Sequence, residues 1–171
     1  MTEWKYLYSG VFKIRYVIAA HYLRDCETIV EIGGYRTPID EFLTHDFSSV
    51  TVIDPLIVPM TSKRVSHLAC DYREVDYSFL RGKPYGVAIL GMEIPLSETL
   101  FELVRRARTV VIEFTEDPTW THPRELYDEL RKNTNLVQVA TIALDLSGNH
   151  FGDLTDSWPP RTSRVIYVLR P

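Results

Sequence analysis

The sequence predicts an α/β chain built on a mostly parallel, doubly wound sheet. Three observations predict it. Short β-branched runs alternate with segments of helical period through most of the chain. The first run, Thr28-Ile29-Val30-Glu31-Ile32, leads directly into Gly33-Gly34 and then Thr37-Pro38. That is the order of a buried strand, a tight turn and a helix start. The alternation then stops: the last two apolar runs, 136–144 and 164–169, have no helical pattern between them, so they should pair antiparallel.

The bulk properties are those of an ordinary globular chain. At 171 residues the length suits one domain with a real core, and 45% apolar with 25% charged residues excludes a disordered composition. A net charge of −4 argues against nucleic acid as the main partner, because phosphate binding favours an excess of Lys and Arg. Cys26 and Cys70 are the only cysteines. With no secretory start and no apolar run near the ~20 residues of a membrane span, the expectation is a cytoplasmic protein with free thiols.

The elements follow in order. Residues 11–26 carry Phe12, Ile14, Val17, Ile18, Ala19, Tyr22 and Leu23 between basic residues, an amphipathic helix with a broad apolar face. Packing on the sheet explains it best, and a lid over a ligand is the alternative. Trp4, Tyr6, Tyr8 and Tyr16 make this end aromatic. After the first strand, Thr37 as N-cap, Pro38 at the first helical position and Asp40 completing a capping pattern predict a helix over 37–46. Strand two is 50–54 and ends in Asp54, 21 residues after Gly33. That is close to the roughly 20-residue offset at which a second-strand carboxylate meets a ribose in nucleotide-binding α/β folds. Pro55 and Pro59 make the next connection irregular. Strand three, 66–70, ends before Asp71, and strand four spans 85–91. Ser97 caps a helix whose end carries Arg105, Arg106 and Arg108, where cations complement the helix dipole. Strand five is 109–114, and a further helix spans 121–132. A loop with Gly148, Gly152, Pro159 and Pro160 separates the last two strands.

This order resembles that of the class I S-adenosylmethionine-dependent methyltransferases from about Thr28 to Leu169. The resemblance is carried by Glu31-Ile32-Gly33-Gly34-Tyr35, Asp54, Cys70-Asp71 and the strand at 85–91. It implies a three-layer Rossmann-like sandwich whose seven-stranded, mostly parallel sheet has an antiparallel C-terminal strand. Residues 1–26 would form an N-terminal helical cap and residues 27–171 the cofactor-binding part of one compact domain. It implies S-adenosylmethionine as cofactor. Glu31, Gly33, Gly34 and Tyr35 would wrap its methionine part, Asp54 the ribose hydroxyls and Asp71 the adenine amino group, with Leu90 closing the fourth strand of the site. Two departures stand out. Tyr35 occupies the place of a second glycine, and Tyr85-Gly86 replaces an aromatic residue followed by Asp.

A dinucleotide site fits less well. Gly-x-Gly-x-x-Gly from Gly33 would need glycine where Tyr35 and Pro38 stand, and pyrophosphate would meet Asp40 at the helix start. Methyl transfer from a sulfonium needs no protein nucleophile; the protein positions the acceptor and removes a proton where one must leave. Glu93, after strand four, and His150, in the late loop, are the expected acceptor or proton contacts, each also explicable as a polar loop residue. Glu113, ending strand five, could bind an acceptor amine or act as a structural cap. His21, His45, His67 and His122 lack ligand spacing, so no metal site is expected. The expected function is methyl transfer to a small-molecule acceptor, with a possible homo-oligomer supplying missing walls. The alternative is a methyltransferase-fold protein that binds cofactor or a protein partner without turnover.

Overall fold

In the computed structural model, residues 10–35, 38–90, 94–115, 122–144, 151–153 and 164–171 are described. Three α-helices lie among them: α1 (Gly10–Tyr22), α2 (Glu98–Arg105) and α3 (His122–Asn133). The strands are β1 (Thr28–Ile32), β2 (Ser49–Ile53), β3 (Met60–Thr61), β4 (Val65–Leu68), β5 (Tyr85–Ile89), β6 (Thr109–Thr115), β7 (Val137–Leu144), β8 (Phe151–Asp153) and β9 (Arg164–Arg170). They form a single sheet in the order β3-β4-β2-β1-β5-β6-β9-β7-β8. The central strands β4, β2, β1, β5 and β6 are parallel, and β9 runs antiparallel between β6 and β7.

The expected seven strands are therefore present, with the antiparallel one last in sequence. Two short additions lie at the edges. β3 pairs antiparallel with β4, and β8 pairs antiparallel with β7 inside the segment expected to be loop. Short edge strands of this kind blunt an otherwise open ladder.

β1 and β5 are buried at every position, as strands sandwiched on both faces must be. Side chains alternate between the two layers. Val30, Ile32, Val87, Ile89, Val110 and Ile112 pack with Leu100, Leu103 and Val104 of α2 and Leu130 of α3. Ile29, Val50, Val52, Ala88 and Val111 pack with Tyr16 and Ala19 of α1, with Leu23 just after it, and with Ile39. Ser97 caps α2, accepting a hydrogen bond from Leu100 N–H at 3.2 Å, as expected.

The helix expected over 37–46 is not there. Only a single 3₁₀ turn, Ile39–Phe42, follows the glycines, and Leu43 is already extended. Thr37, its expected cap, lies outside the described residues. The 3₁₀ turn has no side-chain cap, and the Asp40 carboxylate instead meets His67 Nε2 on β4 at 3.1 Å. The crossover from β2 to β4 likewise contains no α-helix among residues 54–64, in line with Pro55 and Pro59. β4 is consequently only half-buried at all four positions and β3 is exposed.

Gly86 explains one departure noted in the sequence. A Cβ there would lie 2.5 Å from Leu23 Cδ2 and 3.0 Å from Cys26 Sγ, because the turn that follows α1 packs directly on β5. Leu23 and Cys26 are both buried, so neither can move aside freely. An aspartate would not fit. Gly86→Ala is expected to destabilise the protein by about 1–3 kcal/mol through overpacking, read from urea unfolding midpoints. A change within experimental error would mean that α1 shifts at no cost.

Candidate functional site

The carboxyl ends of parallel strands are where open α/β sheets bind ligands, at the point where the order reverses. Here that point lies between β1 and β5. β1 is flanked by β2 on one side and β5 on the other, in register Ile32↔Ile53 and Ile32↔Ile89. The next residues therefore stand side by side. Gly33 N–H donates to Ile53 O at 2.9 Å, Asp54 N–H to Leu68 O at 3.1 Å, and Leu90 N–H to Ile32 O at 3.3 Å. Backbone bonding thus brings Gly33, Asp54 and Leu90 to one edge. Asp71 stands three residues beyond the end of β4.

Gly33 has φ 91°, a left-handed conformation that other residues adopt at a cost. Gly34 is needed for another reason. A Cβ there would stand 2.4 Å from Val52 Cγ1 and 2.7 Å from Glu31 Oε2. The space beside Gly34 is thus filled by the protein itself, and Gly33 is the glycine whose conformation shapes the turn. Tyr35 is half-buried and follows directly.

Glu31 is fully buried within β1. Its Oε2 accepts Ile39 N–H at 2.7 Å, and its Oε1 has no hydrogen-bond partner among the described residues. Burial pushes its pKa up to about 8; Asp40 and Asp54 add to the rise, while the Ile39 N–H and Arg15 oppose it. Alternation puts Glu31 on the α1 face of the sheet, and the register aligns it with Val52 and then His67. On this face Arg15 of α1 reaches Glu113 of β6, Nη1 to Oε2 at 2.5 Å, with both side chains almost wholly buried. Arg15 Nη2 also donates to Tyr16 Oη at 3.1 Å. Burial works against the Arg15 charge, but Glu113 holds its pKa above the ordinary arginine value. Two buried polar centres, Glu31 and Arg15–Glu113, thus lie on the α1 face of the sheet, with the half-buried pair His67–Asp40 beside them.

The acids expected to meet a ligand differ in how free they are. Asp54 is half-buried, and its Oδ1 accepts Leu56 N–H at 2.8 Å in a local turn. Asp71 caps the 3₁₀ turn Tyr72–Glu74, accepting Arg73 N–H at 2.9 Å, and is also gripped by the Arg73 guanidinium. Those bonds hold its pKa down to about 2. Glu113, considered for an acceptor amine, is paired with Arg15. Glu93 and His150 lie outside the described residues. Sequence reading missed Arg15 because its partner is 98 residues away; the available hint was a cation among the apolar residues of an amphipathic helix. Among the described residues no group of His, Cys, Asp and Glu is arranged to hold a metal, and no helix is long and apolar enough to cross a membrane.

No family model and no curated protein matches the sequence. Solved structures do match the architecture. The N-methyltransferase NodS from Bradyrhizobium japonicum WM9 superposes with TM-score 0.65 at 14% identity, covering 96% of this chain and 98% of its own. The fold is that of the class I methyltransferases. The same architecture is found in 1,6-didemethyltoxoflavin-N1-methyltransferase from Burkholderia thailandensis, solved with 1,6-didemethyltoxoflavin and S-adenosylhomocysteine. It has TM-score 0.62 at 15% identity over 97% of this chain and 80% of that one. An rRNA methylase from Streptococcus thermophilus has TM-score 0.56 at 9% identity, covering 95% of this chain and 97% of that one.

Proposed function

We propose that this protein binds S-adenosylmethionine and transfers its methyl group to a small-molecule acceptor in the cytoplasm. The observation that carries the reading is the positive-φ Gly33 turn, whose N–H donates to Ile53 O and so sets it beside Asp54, the next residue, at the carboxyl edge. The residues fit the cofactor. Glu31 offers a buried acceptor, Oε1, without a partner, the kind of group an ammonium satisfies. Asp54 Oδ1 makes only one local bond, leaving capacity for ribose hydroxyls. When bound, the cofactor supplies a methyl group already activated on a sulfonium. This chain's residues then have to hold the cofactor and aim the acceptor, which is positioning rather than nucleophilic chemistry.

Asp71 is assigned to the adenine amino group, which competes there with Arg73. Tyr35 and Leu90 complete the cofactor contacts, and Glu93 and His150 are assigned to the acceptor or its proton. A small acceptor is favoured over RNA by the net charge of −4. The toxoflavin enzyme, which holds a small acceptor, also has the higher structural similarity, 0.62 against 0.56 for the rRNA methylase.

Calorimetric titration with S-adenosylmethionine, S-adenosylhomocysteine and NAD tests the reading. Binding of NAD alone would refute it. Tight binding of the sulfonium cofactor with no methyl release across a broad acceptor panel would instead favour a non-catalytic role. Asp54→Ala is expected to weaken S-adenosylhomocysteine binding roughly 10- to 100-fold, the range of a lost charge-assisted hydrogen bond. Because its carboxylate supports only the turn to Leu56, stability should fall by less than about 1 kcal/mol. Equal affinity in the two proteins would remove Asp54 from the site.

A further inference from the structure

The 3₁₀ turn after β4 does more than present Asp71. Its first residue, Tyr72, is 5% exposed and packs into the core beneath α2. There its hydroxyl donates to Pro95 O and lies 2.8 Å from Ser97 Oγ. Ser97 is the N-cap of α2, so the Tyr72 hydroxyl bonds to the group that starts that helix. On its other side the Tyr72 carbonyl accepts the Tyr77 hydroxyl at 2.9 Å. One side chain thus ties the turn that carries Asp71 to the irregular segment 94–97 between β5 and α2. That segment leads into α2, and β5 itself ends at Ile89 beside Ile32 of β1. The two walls are 23 and 25 residues apart in sequence at their contacts, and the tyrosine hydroxyl bridges them.

We propose that Tyr72 is a positioning residue that couples occupancy at Asp71 to the order of residues 94–97 and the first turn of α2. The inference rests on the cofactor reading above and deepens it: holding the adenine end steadies the segment that starts α2. Asp71 and Tyr72 are adjacent in one short turn. A ligand that takes the Asp71 carboxylate over from Arg73 therefore acts on the backbone that aims the Tyr72 ring, and through its hydroxyl on Pro95 and Ser97. The coupling needs no large movement, only the tether that joins the two segments.

The test is amide hydrogen exchange of residues 94–101, with and without S-adenosylhomocysteine, in wild type and Tyr72→Phe. In wild type the ligand is expected to slow exchange across this stretch. Phenylalanine keeps the buried ring and loses only the hydroxyl. The variant should still bind the ligand, roughly fivefold more weakly, the equivalent of one hydrogen bond, while the ligand-induced slowing at 94–101 disappears. A purely structural tyrosine would behave differently: Tyr72→Phe would lower overall stability yet show the same slowing as wild type, and that result would overturn the proposal. Should Tyr72→Phe not fold, Ser97→Thr and Ser97→Ala address the same tether from the other end. Threonine retains the hydroxyl and is expected to keep the response; alanine is expected to lose most of it, and an undiminished response in alanine refutes the coupling. Binding without any change in exchange in wild type overturns this inference alone. No binding of S-adenosylhomocysteine in wild type overturns the cofactor reading and this inference with it.

Discussion

Arg15→Ala is expected to cost about 3–5 kcal/mol of stability, the range found when one partner of a buried ion pair is removed. Arg15 and Glu113 are 6% and 5% exposed, so solvent cannot take over when the guanidinium goes. The pair joins α1 to β6, elements almost a hundred residues apart, and the Arg15 guanidinium also lies 4.7 Å over the Tyr16 ring. Loss of the cation strips the guanidinium bond from a buried carboxylate that shares its layer with Val111, Ile166 and Val168. The same argument sets the behaviour of the double variant. Arg15→Met with Glu113→Leu removes both charges and both desolvation penalties, and well-packed apolar replacements of buried pairs are often neutral or stabilising. Urea unfolding of wild type, both single variants and the double variant forms a mutant cycle. The expected pattern is two large losses that largely cancel in the double variant. If Arg15→Ala unfolds within about 1 kcal/mol of wild type, the pair is effectively solvated and α1 is held by its apolar face alone.

That pair also marks the boundary of what the sequence could reveal. The strands were legible because a parallel strand buried on both faces must be a short, nearly continuous apolar run, and 29–32, 50–53, 85–89 and 109–112 have that form. The antiparallel ending was legible because two late β runs had no helix between them, and β7 and β9 do pair that way. The helix expected over 37–46 failed for an instructive reason. Capping signals are local, but their donors and acceptors are open to distant bidders. Glu31 takes the Ile39 N–H and His67 takes the Asp40 carboxylate, from β1 and β4 respectively. The segment then has only six residues, 43–48, in which to reach β2, too few to extend a helix and return. Likewise both glycines of the pair were expected to wrap the methionine part of the cofactor. Gly33 does adopt the conformation only glycine tolerates well, whereas the space at Gly34 is taken by Val52 and Glu31. No local pattern encodes which side chain a tertiary fold will deliver to such a space.

The stability of the wild-type protein should fall as pH rises from about 5 to about 8, and Glu31→Gln should remove that part of the fall. Glu31 is fully buried, and burial raises its pKa from 4.5 to about 8. In the unfolded chain the carboxyl loses its proton near its ordinary value, while in the folded chain it keeps it. Between those two values the native state therefore binds more protons than the unfolded state, and stability declines with rising pH. Below the lower value both states are protonated and the group contributes no slope. Above the upper value both are ionised and the loss is complete. The full span corresponds to a loss on the order of 3–5 kcal/mol. Glutamine has no proton to lose. Its carbonyl can accept the Ile39 N–H in place of Oε2, and its amide can occupy the position of the unpaired Oε1, close to the acids Asp40 and Asp54 that disfavour a charged Glu31. The variant is thus expected to be similar to wild type at pH 5 and more stable at pH 8. The measurement is the difference between the two urea-unfolding curves across that range, which cancels the titration of other groups. Arg15 stabilises ionised Glu31, so the slope should steepen at its upper end in Arg15→Ala. Parallel curves for wild type and Glu31→Gln would show that Glu31 is ionised in the folded protein at neutral pH, held by a partner other than the backbone of Ile39.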